Sequence, residues 1–427
     1  MQGGPPSAQT IAAEQGAFGA RIMHLTEQLA RFSETPDSLT CTYLTDAHRQ
    51  AAATLGDWMR TAGMRVEIDA VGNVTGHYPA ENPQAKTLIV GSHYDTVRNA
   101  GNFDGRLGIL TALAVIEHLN RTGQRLPYHL DLIAFSEEEG VRFAQPYIGS
   151  SAIAGRFDMN ILQRRDPTGI RVGELIAEAG VNPEEDIPKL ARRPEDLCAY
   201  LELHIEQGPV LLQENLPVGI VTSIAGASRY LVSVEGVAGH AGTVPMTLRR
   251  DAAAAAAEIV LAVEARCTQA DAPTLVGTVG RLDVPDGAIN VIPGRCELSL
   301  DIRAGDDATR NKAVADLLVD IDRIARRRGV KIETRPLSMT PAVPCSPRLQ
   351  QAFADAVGRA GLPARHLVSG AGHDSVMFDG RTDVGMLFVR SGNGGISHSP
   401  LETITQADAD VAARVLLDVL LNLKPAT

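Results

Sequence analysis

Strand-like and helix-like hydrophobic patterns alternate in the first third of the chain. Runs typical of strands occur at Arg65–Ile68, Thr87–Gly91 and His129–Phe135. Between the last two, Leu107–Leu119 has helical spacing. A strand, a crossover helix and a second strand are typical of an α/β sheet. An amphipathic helix is predicted before them, over residues 11–32.

The middle of the chain has a different pattern. Arg229–Glu235 and Cys296–Arg303 alternate as strands, whereas Ala252–Glu264 and Ala308–Arg327 have helical spacing. This mixture predicts a compact α+β domain inserted into the α/β domain.

After the insertion the α/β pattern returns. The Pro-containing stretch Arg335–Pro347 is predicted to be the return linker, followed by a helix over Leu349–Ala360. A strand over Gly385–Val389 and a closing helix over Ala407–Leu423 complete the chain. We therefore expect a catalytic domain formed by residues 1–219 and 337–427, with residues 220–336 as the inserted domain.

The amino-acid composition argues against several classes of protein and partner. Of the 427 residues, 44% are hydrophobic and 21% charged, as in ordinary globular proteins. The net charge of −11 argues against nucleic acid as the main partner, because such proteins present a basic face. No apolar run reaches transmembrane length and no secretory signal is visible, so no membrane partner is expected. Scattered cysteines without a CxxC pair indicate free thiols in a reducing compartment, and we expect a cytoplasmic protein.

Histidines and acidic residues stand beside turn-forming sequences, several of them directly after predicted strands. They are His93, Asp95, Asp104, Glu137, Glu138, Glu139, His204 and His398. Sites in open α/β sheets lie at the carboxyl ends of strands. Histidine and carboxylate side chains from several separate places are what a pair of divalent metals needs. If they converge, the chain is a metal-dependent hydrolase.

Most of these residues also have an ordinary explanation. His93 and Asp95 form a His-x-Asp pair, in which the carboxylate can orient the ring, but such pairs also occur on surfaces. Asp104 fits a turn or a helix cap. A single histidine such as His204 or His398 is more often structural than a ligand, and the turn sequences beside both suggest a surface cleft.

The three consecutive glutamates, residues 137–139, are harder to explain, because like charges after a buried strand repel one another. A metal would take one glutamate and leave a neighbour free as the general base. The local sequence leaves open which glutamate has which role.

A second group of polar residues lies in or near the predicted insertion. His240 stands in Gly239–Thr243, and Asn290 and Arg303 flank the strand predicted at Cys296–Arg303. An arginine there can bind a substrate carboxylate through a bidentate fork. The local sequence alone favours a surface salt bridge for Arg303.

Taken together, the motifs resemble the zinc-type amidohydrolases of the hydantoinase/carbamoylase family, relatives of the dinuclear aminopeptidase-like metallopeptidases. The matching motifs are Gly91–Thr96, Gly101–Gly108, Glu138–Phe143, His204–Pro209, Gly239–Met246, Asn290–Gly294, Asp301–Arg303, Gly370–Asp374 and Ile396–Pro400. The resemblance implies an α/β fold: an aminopeptidase-like mixed-sheet catalytic domain with an inserted α+β lid and dimerisation domain.

The resemblance also implies roles for single residues. Two divalent metal ions, zinc or manganese, would be held by five ligands, with Asp104 as the bridge. The ligands would be His93, Asp104, Glu139, His204 and His398. Glu138 would be the general base, because Gly140 fixes the register of the triplet, and Asp95 would orient His93.

Substrate contacts are implied in the same way. The substrate-binding residues would be Gln207, Asn290, Arg303, Gly370 and Gly372, and His240 would stabilise the developing oxyanion. In the family, His240 and Asn290 reach the active site of the neighbouring subunit, which implies a homodimer.

The implied reaction is hydrolysis of a ureido C–N bond in a small carboxylate. The sequence of residues 94–105 is most similar to that of allantoate amidohydrolases, which release ammonia and carbon dioxide. N-carbamoyl-L-amino acids are the alternative substrate. A dipeptidase or aminopeptidase, and a catalytically silent binding protein of the same fold, are more distant alternatives.

Overall fold

A computed structural model describes residues 16–268 and 274–424. The strands are β1 (Arg65–Ile68), β2 (Val74–Tyr78), β3 (Thr87–His93), β4 (His129–Phe135), β5 (Leu197–Ile205), β6 (Val218–Ile224), β7 (Gly226–Glu235), β8 (Gly239–His240), β9 (Val276–Thr278), β10 (Leu282–Asp283), β11 (Val291–Ile292), β12 (Arg295–Ala304), β13 (Lys331–Thr340), β14 (Val343–Pro344), β15 (His366–Ser369) and β16 (Val384–Val389).

The helices cover most of the remaining chain. The α-helices are α1 (Ala17–Leu29), α2 (Asp46–Thr61), α3 (Arg106–Arg121), α4 (Ile148–Ile153), α5 (Val172–Ala177), α6 (Pro183–Asp186), α7 (Val210–Gln213), α8 (Ala252–Cys267), α9 (Asp307–Arg328), α10 (Pro347–Arg359) and α11 (Gln406–Asn422). Short 3₁₀ turns lie at Met159–Gln163, Ile187–Leu190, Pro194–Asp196, Met246–Leu248, Asp374–Phe378 and Asn393–Gly395. The first helix was predicted over residues 11–32, of which 11–15 lie outside the described residues.

A nine-stranded mixed sheet supplies the core of the larger part of the molecule. Its order is β1-β2-β4-β3-β5-β16-β6-β14, and β15 pairs with β6. The four central strands β4, β3, β5 and β16 are parallel to one another. Their carboxyl ends therefore lie at one edge of the sheet, where α/β proteins carry their sites.

Continuous runs of buried, mostly apolar residues explain why these strands are central. Every residue of β5 is buried, and only the first residue of β3 is partly exposed. Strands covered on both faces have such runs, whereas half-exposed strands alternate. Residues of α3 such as Leu107, Leu110 and Leu113 are fully buried and belong to the same core as β3 and β5.

The smaller sheet is antiparallel, with the order β10-β12-β7-β13, and β9 also pairs with β12. Alternate residues of β12 (Cys296, Leu298, Leu300 and Ile302) are buried and share a core with α8 and α9. A separate two-stranded sheet pairs β8 with β11. This α+β arrangement confirms the predicted elements of the insertion.

Contacts divide the chain into two compact units. The larger comprises Met1–Thr222, Cys345–Leu367 and His373–Thr427, and the smaller Ser223–Pro344 and Val368–Gly372. The smaller unit therefore takes up Gly370 and Gly372, which lie inside the segment 337–427 expected to belong to the catalytic domain.

The expected linker over Arg335–Pro347 is wrong in its first half. Residues 335–340 continue β13 along β7, with a register shift between Pro336 and Ser338. A bulge lets a strand accommodate a proline, which cannot donate a ladder hydrogen bond.

Within the described residues, no helix has the length and apolar character needed to cross a membrane.

Candidate metal centre and active site

Three strand ends bring most of the predicted acidic and histidine residues together in the larger unit. His93 is the last residue of β3, and the glutamates 137–139 follow Ser136 at the end of β4. His204 lies within β5 and is buried, so it stands on a strand and not on the turn that follows it. Asp104 immediately precedes Gly105, the N-cap of α3, and its side chain does not cap that helix.

Potential metal-binding atoms form three overlapping groups. His93, Asp104 and His204 form the first, His93, Glu138 and Glu139 the second, and Asp104, Glu139 and His398 the third. Within each group, the ligand atoms lie within 4.8 Å of one another. Asp104 joins the first and third groups, as a bridging carboxylate between two cations must.

Hydrogen bonds fix which ring nitrogens carry protons. Nδ1 of His204 lies 2.9 Å from the carbonyl oxygen of Ile205, and Nδ1 of His93 lies 3.2 Å from the carbonyl oxygen of Asp95. Carbonyl oxygens only accept, so both Nδ1 atoms are donors and, in the neutral ring, both Nε2 atoms keep a lone pair. Nε2 of His204 accordingly accepts the N–H of Gly105 at 3.3 Å.

These lone pairs face a buried carboxylate oxygen. Oδ1 of Asp104 lies 3.2 Å from Nε2 of His204 and 3.9 Å from Nε2 of His93. This oxygen has no hydrogen-bond donor among the described residues. Burying unpaired acceptors is costly, and a cation shared by all three atoms would remove that cost. The donor set therefore fits a divalent metal with nitrogen and oxygen ligands.

The charge around the cluster also favours cations. Burial lowers the pKa of His93, but the hydrogen bond to Asp95 and the charges of Glu138 and Glu139 outweigh it and raise that pKa well above its usual value. The hydrogen bond to Asp104 raises the pKa of His398 to about 9. Surroundings that stabilise positive histidines also stabilise metal ions.

Asp95 holds the glutamate loop as well as His93. Its Oδ1 lies 3.3 Å from Nδ1 of His93. Its two oxygens also accept the N–H groups of Glu138 at 3.0 Å and Glu139 at 3.2 Å. One buried carboxylate therefore orients a ring and fixes the backbone that carries the proposed base and ligand.

The glutamates of the triplet have raised proton affinities. Burial raises the pKa of Glu138 well above its usual value; Glu139 and Asp374 add to this shift and His93 opposes it. Burial and the charge of Asp104 raise the pKa of Glu139 to about 7. Glu137 is fully buried, and burial raises its pKa well above the usual value. A carboxylate of raised pKa is suited to accept a proton near neutral pH.

Two loops supply the remaining atoms near Asp104. Nε2 of His398 lies 3.1 Å from Oδ2 of Asp104, and Gln207 donates to the same oxygen at 3.0 Å. His398 and Gln207 both have φ of 54°, in the left-handed region that non-glycine residues rarely occupy. Such strain persists where the surrounding structure imposes it, typically at functional sites.

In the smaller unit, His240 and Asn290 come together. His240 pairs with Val291 across the β8–β11 ladder, and the carbonyl of Asn290 accepts the N–H of Ala241 at 2.9 Å. Nδ1 of His240 accepts the N–H of Gly242 at 3.0 Å. The neutral ring therefore carries its proton on Nε2, from which it can donate.

Arg303 forms a salt bridge with Asp301, as its local sequence predicts, and also a hydrogen bond with Gly370. Its Nε and Nη2 donate to the two oxygens of Asp301 at 3.0 and 2.8 Å, and its Nη1 donates to the carbonyl of Gly370 at 2.7 Å. Arg229 also donates to Asp301, at 3.0 Å. A cavity of about 460 Å³ lies at this group, lined further by Thr278, Ser299 and Leu337. Gly372 lies in the same segment, Val368–Gly372.

Several buried residues near the cluster escaped the sequence analysis. The ring centroids of His373 and His204 are 4.5 Å apart. Burial lowers the pKa of His373 well below the usual value, so His373 is neutral. Glu202 on β5 accepts hydrogen bonds from Ser92, at 3.3 Å, and from the N–H of Ser375, at 3.0 Å. Glu202 stands two residues before His204 on the same strand. This spacing is the feature of the sequence from which Glu202 could have been predicted.

Comparison with known proteins agrees with this geometry. The model of peptidase family M20/M25/M40 matches residues 89–422. The chain is 41% identical over 399 residues to the N-carbamoyl-L-amino acid amidohydrolase of Geobacillus stearothermophilus, covering 93% of this chain and 97% of that protein. It is 38% identical over 424 residues to allantoate deiminase 2 of Glycine max, covering 93% of this chain and 88% of that protein.

A solved structure extends the likeness to the whole fold. The hydantoinase/carbamoylase family amidase from Burkholderia multivorans aligns with a TM-score of 0.89 and 33% identity, over 96% of this chain and 98% of that one. Matches of this extent to a family model and to relatives show common membership. The chain therefore belongs to peptidase family M20/M25/M40, as a hydantoinase/carbamoylase amidohydrolase that acts on carbon–nitrogen bonds other than peptide bonds.

Proposed function

We propose that the protein hydrolyses a ureido C–N bond of a small carboxylate, with allantoate as the first candidate substrate. The observation that carries the proposal is the buried cluster around Asp104, with Glu138 beside it. Water adds to the ureido carbon and the C–N bond breaks, so that one ureido group yields an amine, ammonia and carbon dioxide.

The metal-holding residues in this proposal are Asp104 and the four residues around it. His93 and His204 would hold one divalent ion, zinc or manganese, and Glu139 and His398 a second, with Asp104 shared. When bound, such ions supply Lewis acidity, which makes water a stronger acid and a carbonyl carbon a better electrophile.

The remaining residues bind the substrate and move protons. Glu138 takes a proton from the attacking water and returns it to the leaving nitrogen, a task that its raised pKa suits. Arg303, Asn290 and Gln207 bind polar groups of the substrate, with the backbone of Gly370 and Gly372. His240 donates from Nε2 to the oxygen that becomes negative in the transition state.

A homodimer is part of the proposal, with His240 and Asn290 serving the site of the partner. Exposed large apolar side chains that lie near both residues in the chain support it. Met246, six positions after His240, is 75% exposed, and Ile289, next to Asn290, is fully exposed. Large exposed apolar side chains are typical of surfaces that another chain covers.

The polar lining of the cavity at Arg303 favours allantoate. Arg229, Thr278 and Ser299 offer hydrogen-bonding partners to a second ureido group. The alternative, an N-carbamoyl-L-amino acid, is supported by the 41% identical relative and by the apolar Val276 and Leu337 in the same lining.

Ammonia release decides between these substrates. Metal-free protein, and protein reconstituted with zinc or manganese, would be assayed with allantoate, N-carbamoyl-L-leucine and an unblocked dipeptide. We expect activity on allantoate only after reconstitution. Preference for the carbamoyl amino acid would establish the alternative. Activity on the dipeptide alone, or none on any substrate with metal bound, would refute the ureido hydrolase.

A further inference from the structure

A carboxylate outside the proposed ligand set supports the loop that carries Asp104. Glu402 is buried, and its Oε1 accepts the N–H groups of Phe103 at 2.8 Å and Asp104 at 3.1 Å. A Cβ at Gly101 would lie 2.4 Å from the same oxygen, so the loop has a glycine where Glu402 enters it. The backbone on both sides of the Asp104 amide is therefore shaped around this side chain.

The other oxygen of Glu402 reaches the loop of His398. Oε2 accepts from the hydroxyl of Ser397 at 2.8 Å, and that hydroxyl also lies 3.1 Å from Oδ2 of Asp104. Ser397 is the neighbour of His398. Glu402 thus joins the two loops that supply the bridging carboxylate and the exposed histidine, which are almost 300 positions apart in the chain.

Glu402 is not placed as a ligand itself. Its two oxygens are engaged by three donors, and it belongs to none of the groups that could hold a metal among the described residues. We infer that Glu402 is a positioning residue, which fixes Asp104 and His398 so that both are in place before a metal binds. The inference rests on the proposed metal site. Residues that orient ligands in this way typically change metal affinity by about 10–100-fold when removed.

Two substitutions of Glu402 distinguish its effect on the position of the loops from the effect of its negative charge. In Glu402→Ala, the N–H groups of Phe103 and Asp104 lose their buried acceptor, so the loop is expected to shift. In Glu402→Gln, the amide oxygen can still accept both N–H groups, and the amide nitrogen can donate to Ser397. The Gln variant keeps the geometry but removes a negative charge close to the metal site.

The experiment titrates zinc into metal-free full-length protein by calorimetry and records the melting temperature of each metal-free variant. We expect Glu402→Ala to weaken zinc affinity at least about tenfold, and Glu402→Gln to stay within about threefold of wild type. Wild-type affinity in the Ala variant would overturn the inference. Equal losses in the Ala and Gln variants would also overturn it, because they would mean that charge, not position, is what Glu402 supplies.

A matched pair of serines covers the case in which Glu402→Ala does not fold. Ser397→Ala removes only the hydroxyl between Glu402 and Asp104, and should weaken zinc binding. Ser399→Ala removes a hydroxyl from the same loop that accepts the N–H of Leu401, at 3.3 Å, and should not. Equal zinc affinity in both serine variants would refute the positioning role.

Failure of this inference is distinct from failure of the proposed function. If wild-type protein binds no divalent metal, the proposed function falls. If wild type binds zinc and hydrolyses a ureido substrate while Glu402→Ala binds zinc equally well, only the role of Glu402 is refuted.

Discussion

Glu138 and Glu139 are adjacent in the chain but have different surroundings. Both share one candidate metal group with His93, but only Glu139 also belongs to the group of Asp104 and His398. Both backbone N–H groups donate to Asp95, which fixes the backbone that carries the two side chains. This difference is the physical basis for the proposal that Glu139 is a ligand and Glu138 the base.

Replacing Glu138 with glutamine should abolish turnover without loss of metal. Glutamine has the same shape but cannot take the proton of the attacking water, so kcat should fall by at least about 100-fold. Metal content, measured by elemental analysis, should match wild type. The control is Glu137→Gln, because burial raises the pKa of Glu137 and a neutral amide resembles its protonated form. Substantial activity in the Glu138 variant would remove it as the base.

His48 should make stability depend on pH. It is fully buried, and burial lowers its pKa to about 4, although its contact with the carbonyl of Ser136 opposes the shift. Between its ordinary pKa and about 4, the unfolded chain binds more protons, so stability falls as the pH is lowered through that window. The loss is about 1.4 kcal/mol per pH unit, or roughly 3 kcal/mol in all.

Urea denaturation of wild type and His48→Gln at pH 4, 5 and 6.5 would test this. Glutamine can donate to the carbonyl of Ser136 but does not titrate, so its stability should depend less on pH. Other titratable groups, such as the partly buried Asp69, are common to both proteins and cancel in the comparison. Parallel curves for the two proteins would contradict the prediction.

At the scale of elements, helix α3 lies very close to strand β5. A Cβ at Gly108 would stand 2.1 Å from the carbonyl oxygen of Leu203. Only glycine allows this approach, which keeps α3 and the preceding Asp104 loop close to the strand that carries His204.

Gly108→Ala should therefore destabilise the metal-free protein by about 1–3 kcal/mol, because the added methyl group forces the helix away from β5. Gly358 in helix α10 is the matched control. A Cβ there meets nothing within 4 Å, so Gly358→Ala should stabilise by about 0.5–1 kcal/mol. Opposite shifts in the denaturation midpoint are the expected result, and a loss of stability in both would contradict the packing argument.

Elements with strong patterns were predictable from sequence and those with interruptions were not. The predicted bounds of β1 and β4 coincide with the structure, because β-branched and charged residues alternate in β1 and most of β4 is apolar. β13 was not predicted, and Pro336 led to the prediction of a linker over its second half, whereas pairing with β7 and a register shift maintain the strand. Tertiary pairing, which local sequence does not contain, decides such cases.

The site shows the same division. The positions of His93 and the glutamates were predictable because they lie at or just past the ends of apolar strands. Glu402 was not, because its partners Phe103 and Asp104 are about 300 positions away and nothing in its own neighbourhood indicates burial. A residue such as Glu402, which fixes the position of other residues, is recognised from its tertiary contacts. Its local sequence does not identify it.

At the scale of the whole molecule, the candidate residues are divided between two units. The proposed metal ligands and Glu138 lie in the larger unit, whereas His240, Asn290 and Arg303 lie in the smaller one. The proposed homodimer would let His240 of one subunit serve the other, and mixed dimers can test this directly.

Mixing two inactive variants should restore activity. In a mixed dimer of Glu138→Gln and His240→Ala subunits, the second subunit keeps its Glu138 and receives an intact His240 from its partner. After random exchange, roughly a quarter of wild-type activity is expected. The separate variants are the controls. No recovery, in mixtures shown by size and tagging to contain mixed dimers, would mean that His240 serves its own subunit or none.

The order of strands in the large sheet has a consequence for synthesis on the ribosome. β16 lies between β5 and β6, yet it is translated after the whole stretch Ser223–Pro344. Until it emerges, β5 and β6 each leave a strand edge unpaired, which is a site for incorrect association. His398 is made later still. The nascent chain therefore cannot complete the proposed centre until His398 has been translated. A chain that stops between Val389 and His398 would contain every strand of the sheet but lack one proposed ligand.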